Sequence, residues 1–127
     1  MRDAQPILTT DDALHHLRFI RNKKQEYLLC LSLDSGDRLI ARRTVTIGTL
    51  TSSIAHPREV FAGPLKDRAA AVIIAHNHPS GAAEPSKQDM TTTNQLVAAA
   101  QILGMTLRDH IIVTKEHYFS FSEDGLV

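Results

Sequence analysis

A short apolar run with a β-branched centre, Ala69-Ala70-Ala71-Val72-Ile73-Ile74-Ala75, leads directly into His76-Asn77-His78-Pro79-Ser80-Gly81. Such a run is too short for a helix and reads as a buried strand, so the two histidines stand at a strand end. Side chains alternate across a strand with period two, which points His76 and His78 to one face and Asn77 away from it. Two imidazoles therefore converge on one region of space. Pro79, Ser80 and Gly81 stop the strand and open a loop through Ala82, Ala83, Glu84 and Pro85. Ser86-Lys87-Gln88-Asp89 then has the form of a first helical turn.

Folded back toward the strand end, that turn adds the carboxylate of Asp89 to the two imidazoles. Two nitrogens and one oxygen suit zinc and leave a fourth tetrahedral position for water. A cation held there lowers the pKa of its water to roughly 7 and makes a nucleophile available at neutral pH. The same letters carry a plainer meaning, because Ser86-x-x-Asp89 is also a helix capping pair, and a lone histidine at a strand end is more often hydrogen-bonded structure than a ligand. The combination in one short segment is what favours a metal site.

Other histidine motifs fit poorly. The HNH nuclease motif is dispersed over a hairpin and a helix, not contiguous as here. A zinc deaminase needs H-x-E with a later P-C-x-x-C, and Cys30, the one cysteine, lies upstream. Glu84 after H-x-H suggests a cupin, but the helix expected behind it argues against an all-β barrel. Ser80 breaks the H-x-H-x-D-H set of metallo-β-lactamases. The phosphate-binding, dinucleotide-binding and nucleophile-elbow glycine motifs are absent.

H-x-H, seven residues, then S-x-x-D is the JAMM pattern of the JAB/MPN metalloprotease fold. The H-N-H-P-S-G form, Gly48-Thr49-Leu50, His56-Pro57-Arg58-Glu59-Val60-Phe61 and Asp109-His110-Ile111-Ile112 more closely resemble the RadC family. The resemblance covers nearly the whole chain. It implies a single JAB/MPN domain over residues 1–127, without the N-terminal helix-hairpin-helix region that family members usually carry. It also implies one Zn2+ per chain on His76, His78 and Asp89, with Ser86 hydrogen-bonding the developing oxyanion. An upstream glutamate at the head of the strand after the first helix serves as base in JAMM enzymes. Glu26 fits that placement, ahead of Tyr27-Leu28-Leu29-Cys30-Leu31-Ser32-Leu33, and is preferred to its competitor Glu59, which sits in a helix start beside Pro57.

The expected activity is that of a zinc metallohydrolase, a peptidase or isopeptidase acting on a peptide or protein substrate. Two other readings come from different classes: a non-catalytic, zinc-containing protein-binding module, and a DNA-associated accessory protein, as the family's DNA-repair label suggests. Charge does not support nucleic acid: 14 Lys and Arg balance 14 Asp and Glu, so the chain lacks an electrostatic footprint for a polyanion. The basic clusters Arg21 to Lys24 and Arg42-Arg43 read as solvated faces. A single cysteine permits no internal disulfide, and no apolar run nears transmembrane length. Both point to a cytoplasmic protein, and the N-terminus lacks a signal-peptide core.

Along the chain, Thr10-Asp11-Asp12 opens a helix with Ala13, Leu14, Leu17, Phe19 and Ile20 on one face, expected to end near Lys24. Strands follow over 26–33 and 38–47 around the turn Asp34-Ser35-Gly36-Asp37. Pro57 opens a second helix, which Gly63-Pro64 should kink or end early. A long helix from Ser86 to Leu103 stops at Gly104, and Met105–Thr114 and Tyr118–Phe121 form a last hairpin. His15, His16, His56, His110 and His117 read as structural or exposed; Asp109-His110 precedes a strand whose neighbour could be the one carrying His76, which leaves a hydrogen bond to a ligand as the lesser alternative for His110. The pattern predicts an α/β sandwich, a mixed, mainly antiparallel sheet flanked by helices, and the resemblance implies the JAB/MPN (cytidine deaminase-like) arrangement.

Overall fold

The structure, a computed structural model, describes residues 5–48 and 55–127, which leaves Thr49 and Leu50 of the glycine-led match outside the described residues. Five strands form one sheet in the order β2-β1-β3-β4-β5. They span Tyr27–Leu33 (β1), Leu39–Ile47 (β2), Ala71–Asn77 (β3), Thr106–Val113 (β4) and Tyr118–Ser120 (β5). β3 is central, antiparallel to β1 and parallel to β4, and the other pairings are antiparallel. The mixed, mainly antiparallel sheet expected above is therefore present.

Strand alternation splits the core in two. Odd-numbered β3 residues Ala71, Ile73 and Ala75 join Leu29, Leu31, Leu33, Ile111 and Val113 against Ala13, Leu17 and Ile20. Even-numbered Val72 and Ile74 join Leu28 and Cys30 against helices α2 (Pro57–Asp67) and α3 (Lys87–Ile102). His76 continues the even series and so projects to the α2/α3 side. Because β3 and β4 are parallel, α3 must return from one end of the sheet to the other. Its N-terminus thus sits at the carboxyl end of β3, beside the histidines. Among the described residues no helix is long and apolar enough to cross a membrane.

Two helices depart from the sequence expectation. The helix opened by Thr9 and Asp12, a reciprocal capping box, stops at His15 (α1, Thr10–His15). It gives way to a 3-10 turn over Arg18–Ile20 in place of a helix reaching Lys24. The tighter winding, with Ile20 N–H bonded to Leu17 O at 3.2 Å, keeps Ala13, Leu17 and Ile20 all buried on one side.

Helix α2, in turn, runs through Gly63-Pro64 to Asp67 and closes with Arg68 in the left-handed region at φ 54°. An interior proline costs about 3 kcal/mol, but burying Val60 and Phe61 returns roughly 1.5–3 kcal/mol each. Glycine at 63 leaves room for the Arg43 side chain, whose Cδ lies 2.7 Å from where a Cβ would stand. The Arg43 guanidinium crosses it to pair with Asp67, one branch of the fork at 2.7 Å, and so ties the last turn to β2.

Candidate metal centre

Three side chains meet at the carboxyl end of β3. His76 Nε2 and His78 Nε2 lie 3.0 Å apart. Asp89 Oδ1 is 3.3 Å from His76 Nε2, and Asp89 Oδ2 is 3.3 Å from His78 Nε2. Donors held about 2.0–2.2 Å from one tetrahedral ion stand ~3.3 Å or slightly more from each other; the two imidazoles, each facing a different oxygen of the one carboxylate, are gathered to near that spacing. Among the described residues these three form a group able to hold a metal ion.

Each position has a local cause. His78-Pro79-Ser80-Gly81 is a turn closed by Gly81 N–H to His78 O at 3.1 Å. Pro79 presets its second position, and Gly81 takes a φ of 92° that side chains disfavour. The turn brings the Ala82 carbonyl back to His78 Nδ1 at 2.8 Å. A carbonyl only accepts, so Nδ1 of His78 carries a proton and Nε2 is the atom turned to the centre.

Asp89 is the third residue of α3, and the capping box is real: Asp89 N–H donates to Ser86 Oγ at 3.0 Å and Ser86 N–H to Asp89 Oδ2 at 2.8 Å. The cap fixes the rotamer that aims the carboxylate at the histidines. Burial opposes ionisation of Asp89. Hydrogen bonds from His76 and His78, the nearby His76 charge and the Ser86 N–H outweigh it and hold the carboxyl far below the usual carboxylate range. His78 is correspondingly raised, first by Asp89, against the opposing effect of its own burial.

Sequence reasoning read His110 chiefly as a structural histidine with a ligand contact in reach, and here the structure goes further. His110 lies inside β4, fully buried, with its ring stacked on Phe121 at 4.6 Å. Its Nε2 is 2.8 Å from His76 Nδ1 and its Nδ1 is 2.5 Å from Thr93 Oγ1, while Thr93 O–H donates to the Asp89 carbonyl at 2.7 Å. With the Thr93 hydroxyl proton committed to that carbonyl, Thr93 Oγ1 accepts from His110 Nδ1–H. His110 Nε2 is then an acceptor for His76 Nδ1–H. Burial, then the His76 charge, push the His110 pKa well below its ordinary value, which keeps the ring neutral as this chain of bonds requires. Both imidazoles at the centre thus have Nδ1 committed as donor and turn Nε2 to Asp89. His15, His56 and His117 are exposed and His16 half-buried.

Asn77, the middle residue of H-x-H, points away as expected and has a task there. Its amide oxygen accepts from Tyr27 N–H at 2.6 Å, and its Nδ2 donates to Gln25 O at 2.9 Å. This clamps the segment bearing Glu26. The antiparallel register, which ends with Leu28 paired to His76, points Glu26 toward His78 when continued by two residues; Glu26 is half-buried, and its charge helps raise the His78 pKa. Glu59 is exposed in the first turn of α2 beside Arg58, 3.6 Å away. The Ser86 hydroxyl is at the exposed rim of the centre.

A family model described as RadC-like JAB domain matches residues 7–126. The chain belongs to this RadC-like JAB domain family. Curated relatives, each called UPF0758 protein, include those of Methanospirillum hungatei and Bacillus licheniformis. The first is 51% identical over 96 residues (76% of this chain, 43% of the relative). The second is 42% identical over 125 residues (98% and 56%). That of Trichlorobacter lovleyi is 46% identical over 116 residues (91% and 50%). The RadC-like JAB domain chain thus spans about half the length of the curated relatives it matches.

Proposed function

We propose that this RadC-like JAB domain is a zinc-dependent hydrolase of JAMM type that cleaves an amide bond in a peptide or isopeptide substrate. The observation that carries this reading is the pair of buried or half-buried imidazoles, each with its Nδ1 proton held by a fixed acceptor and its Nε2 turned to the same carboxylate. Neutral imidazoles with free Nε2 atoms and an ionised carboxylate are the protonation states that zinc binding requires. His76, His78 and Asp89 would hold one ion. When bound, zinc supplies Lewis acidity, polarising a carbonyl and lowering the pKa of a water ligand to about 7.

Glu26 is assigned as the base that takes the proton of the attacking water and returns it to the leaving amine. Its support over Glu59 is that its charge acts on His78, whereas Glu59 is exposed beside Arg58. Ser86 is assigned as donor to the oxyanion of the tetrahedral intermediate, its hydroxyl oxygen accepting from Asp89 N–H and its hydrogen remaining to donate. The free, buried Cys30 supports a cytoplasmic setting.

The test is elemental analysis of protein purified without added zinc, beside His78→Ala, Asp89→Asn and Glu26→Gln. The expected result is about one zinc per chain in wild type and Glu26→Gln, loss in the other two, and turnover of peptide or isopeptide substrates only by wild type. A folded wild type that takes up no added zinc refutes the reading, and turnover by Glu26→Gln removes Glu26 from it.

A further inference from the structure

The three groups of the centre are unequally covered. The His76 and Asp89 side chains are 1% and 5% exposed, that of His78 15%, so His78 marks the side from which a substrate reaches them. On that side His78, Pro79 and Gly81 form one wall of a cavity of about 480 Å3. The remaining lining is Arg21, Asn22, Lys23, Lys24 and Lys115. The volume suits a ligand of one or two residues, and its protein wall is cationic.

That wall is built into the fold. Arg21 Nε donates to Thr114 O at 2.7 Å and its Nη2 to His117 O at 3.0 Å, which pins the β4–β5 turn, and Lys115 with it, across from Lys23 and Lys24. The other end is held by the Asn77 amide on Gln25 O and, at 3.4 Å, Lys23 O. Among the described residues no carboxylate pairs with Lys23, Lys24 or Lys115; Lys23 lies over the Tyr27 ring at 5.9 Å. No carboxylate of the described residues lines the cavity; Glu26, whose charge acts on His78 as that of Asp89 does, stands outside its lining. Four cations in the lining, in a chain whose total charge is zero, concentrate positive potential at the entrance to the centre. A nucleic acid needs a basic stripe and an excess of cations, whereas 14 cations here balance 14 anions.

We propose that this cavity is a subsite for a substrate carboxylate, which makes the preferred substrate a peptide bearing a free carboxylate within a residue or two of the scissile amide. The inference rests on the hydrolase reading above and adds the substrate class to it. A carboxylate could come from a chain terminus or from an acidic side chain, and the two share one chemistry.

The experiment is an NMR titration of the full chain, zinc-loaded and zinc-free, with three probes: acetyl-Gly-Gly-Ala as free acid, its C-terminal amide, and the amide with a glutamate in place of alanine. Short single-stranded and duplex DNA are run beside them. The expected result is that at least one carboxylate peptide binds about tenfold or more tightly than the neutral amide. That advantage should fall with salt and collapse in Lys23→Gln/Lys24→Gln, with zinc content unchanged. The free acid and the glutamate peptide separate a terminal from a side-chain source. Equal affinity for the neutral amide, no binding of any peptide, a preference retained in the double variant, or tighter binding of DNA each overturns the proposal. Zinc uptake without a carboxylate preference refutes the subsite alone; a carboxylate preference without zinc uptake refutes the hydrolase reading instead.

Discussion

Replacing His110 with phenylalanine isolates what the buried third imidazole does for the metal centre. The ring stays, and with it the stacking on Phe121 at 4.6 Å, but His76 Nδ1 loses its partner at 2.8 Å. In the metal-free variant His76 can move its proton to Nε2 and donate to Asp89, 3.3 Å away, so the free protein loses little. On metal binding that proton must return to Nδ1, where it faces a phenyl ring. A buried donor without a partner costs about 1–3 kcal/mol, so zinc affinity should fall by roughly 5- to 150-fold, in the range seen when partners of metal-bound histidines are removed.

Competition against a chromophoric zinc chelator measures the affinity, urea unfolding of the metal-free protein reports the stability, and nitrogen chemical shifts of the histidines report which ring nitrogen of His76 is protonated. Wild type should show Nδ1–H at His76, and the variant Nε2–H. A folded His110→Phe protein that binds zinc within twofold of wild type, or a wild type with His76 protonated at Nε2, refutes the reasoning.

Ser86 combines a cap with a proposed oxyanion contact, and Ser86→Ala and Ser86→Gly separate them. Alanine should cost about 1 kcal/mol in unfolding free energy and glycine only a few tenths, while both should lower turnover alike, by roughly 10²–10³ if the hydroxyl meets the oxyanion; activity that tracks stability would leave only the cap. Burial raises the Cys30 thiol from 9.0 to about 12, so its contribution to stability is complete below pH 9 and is lost as pH rises toward 12. Between those values the folded protein keeps a proton the unfolded chain releases. Unfolding free energy should therefore fall more steeply in wild type than in Cys30→Ala, by about 1.4 kcal/mol per pH unit; equal slopes in chemical denaturation at pH 9 to 11 would contradict the burial argument.

The donor triangle was legible because its members lie within one strand, one turn and the first turn of one helix. Period two puts His76 and His78 on a face, the His78–Gly81 turn reverses the chain, and the cap fixes Asp89. Each step is local, so the letters suffice. His110 is different in kind. Its contact with His76 depends on β4 lying parallel beside β3 in a register that pairs Ile74 with His110, and on Thr93 presenting from α3. The available signal was position: a histidine directly ahead of the apolar run Ile111-Ile112-Val113 within its own strand, and Thr93 one helical turn after Asp89. That helix two does not end early at Pro64 has the same root. The cost of Pro64 is local and visible, whereas what offsets it is tertiary, including an arginine arriving from β2 across Gly63.

Cap and ligand are not competing accounts of Asp89. An ionised carboxylate has two oxygens and about four lone-pair directions, and here Oδ2 accepts Ser86 N–H at 2.8 Å while Oδ1 lies 3.3 Å from His76 Nε2 and Oδ2 the same distance from His78 Nε2. The cap consumes one direction and in doing so removes the rotamer freedom that would otherwise oppose metal binding. Weighing the two meanings of S-x-x-D against each other therefore understates the motif: a helix N-terminus stabilises the carboxylate's negative charge, the cap orients it, and the centre uses the directions left over.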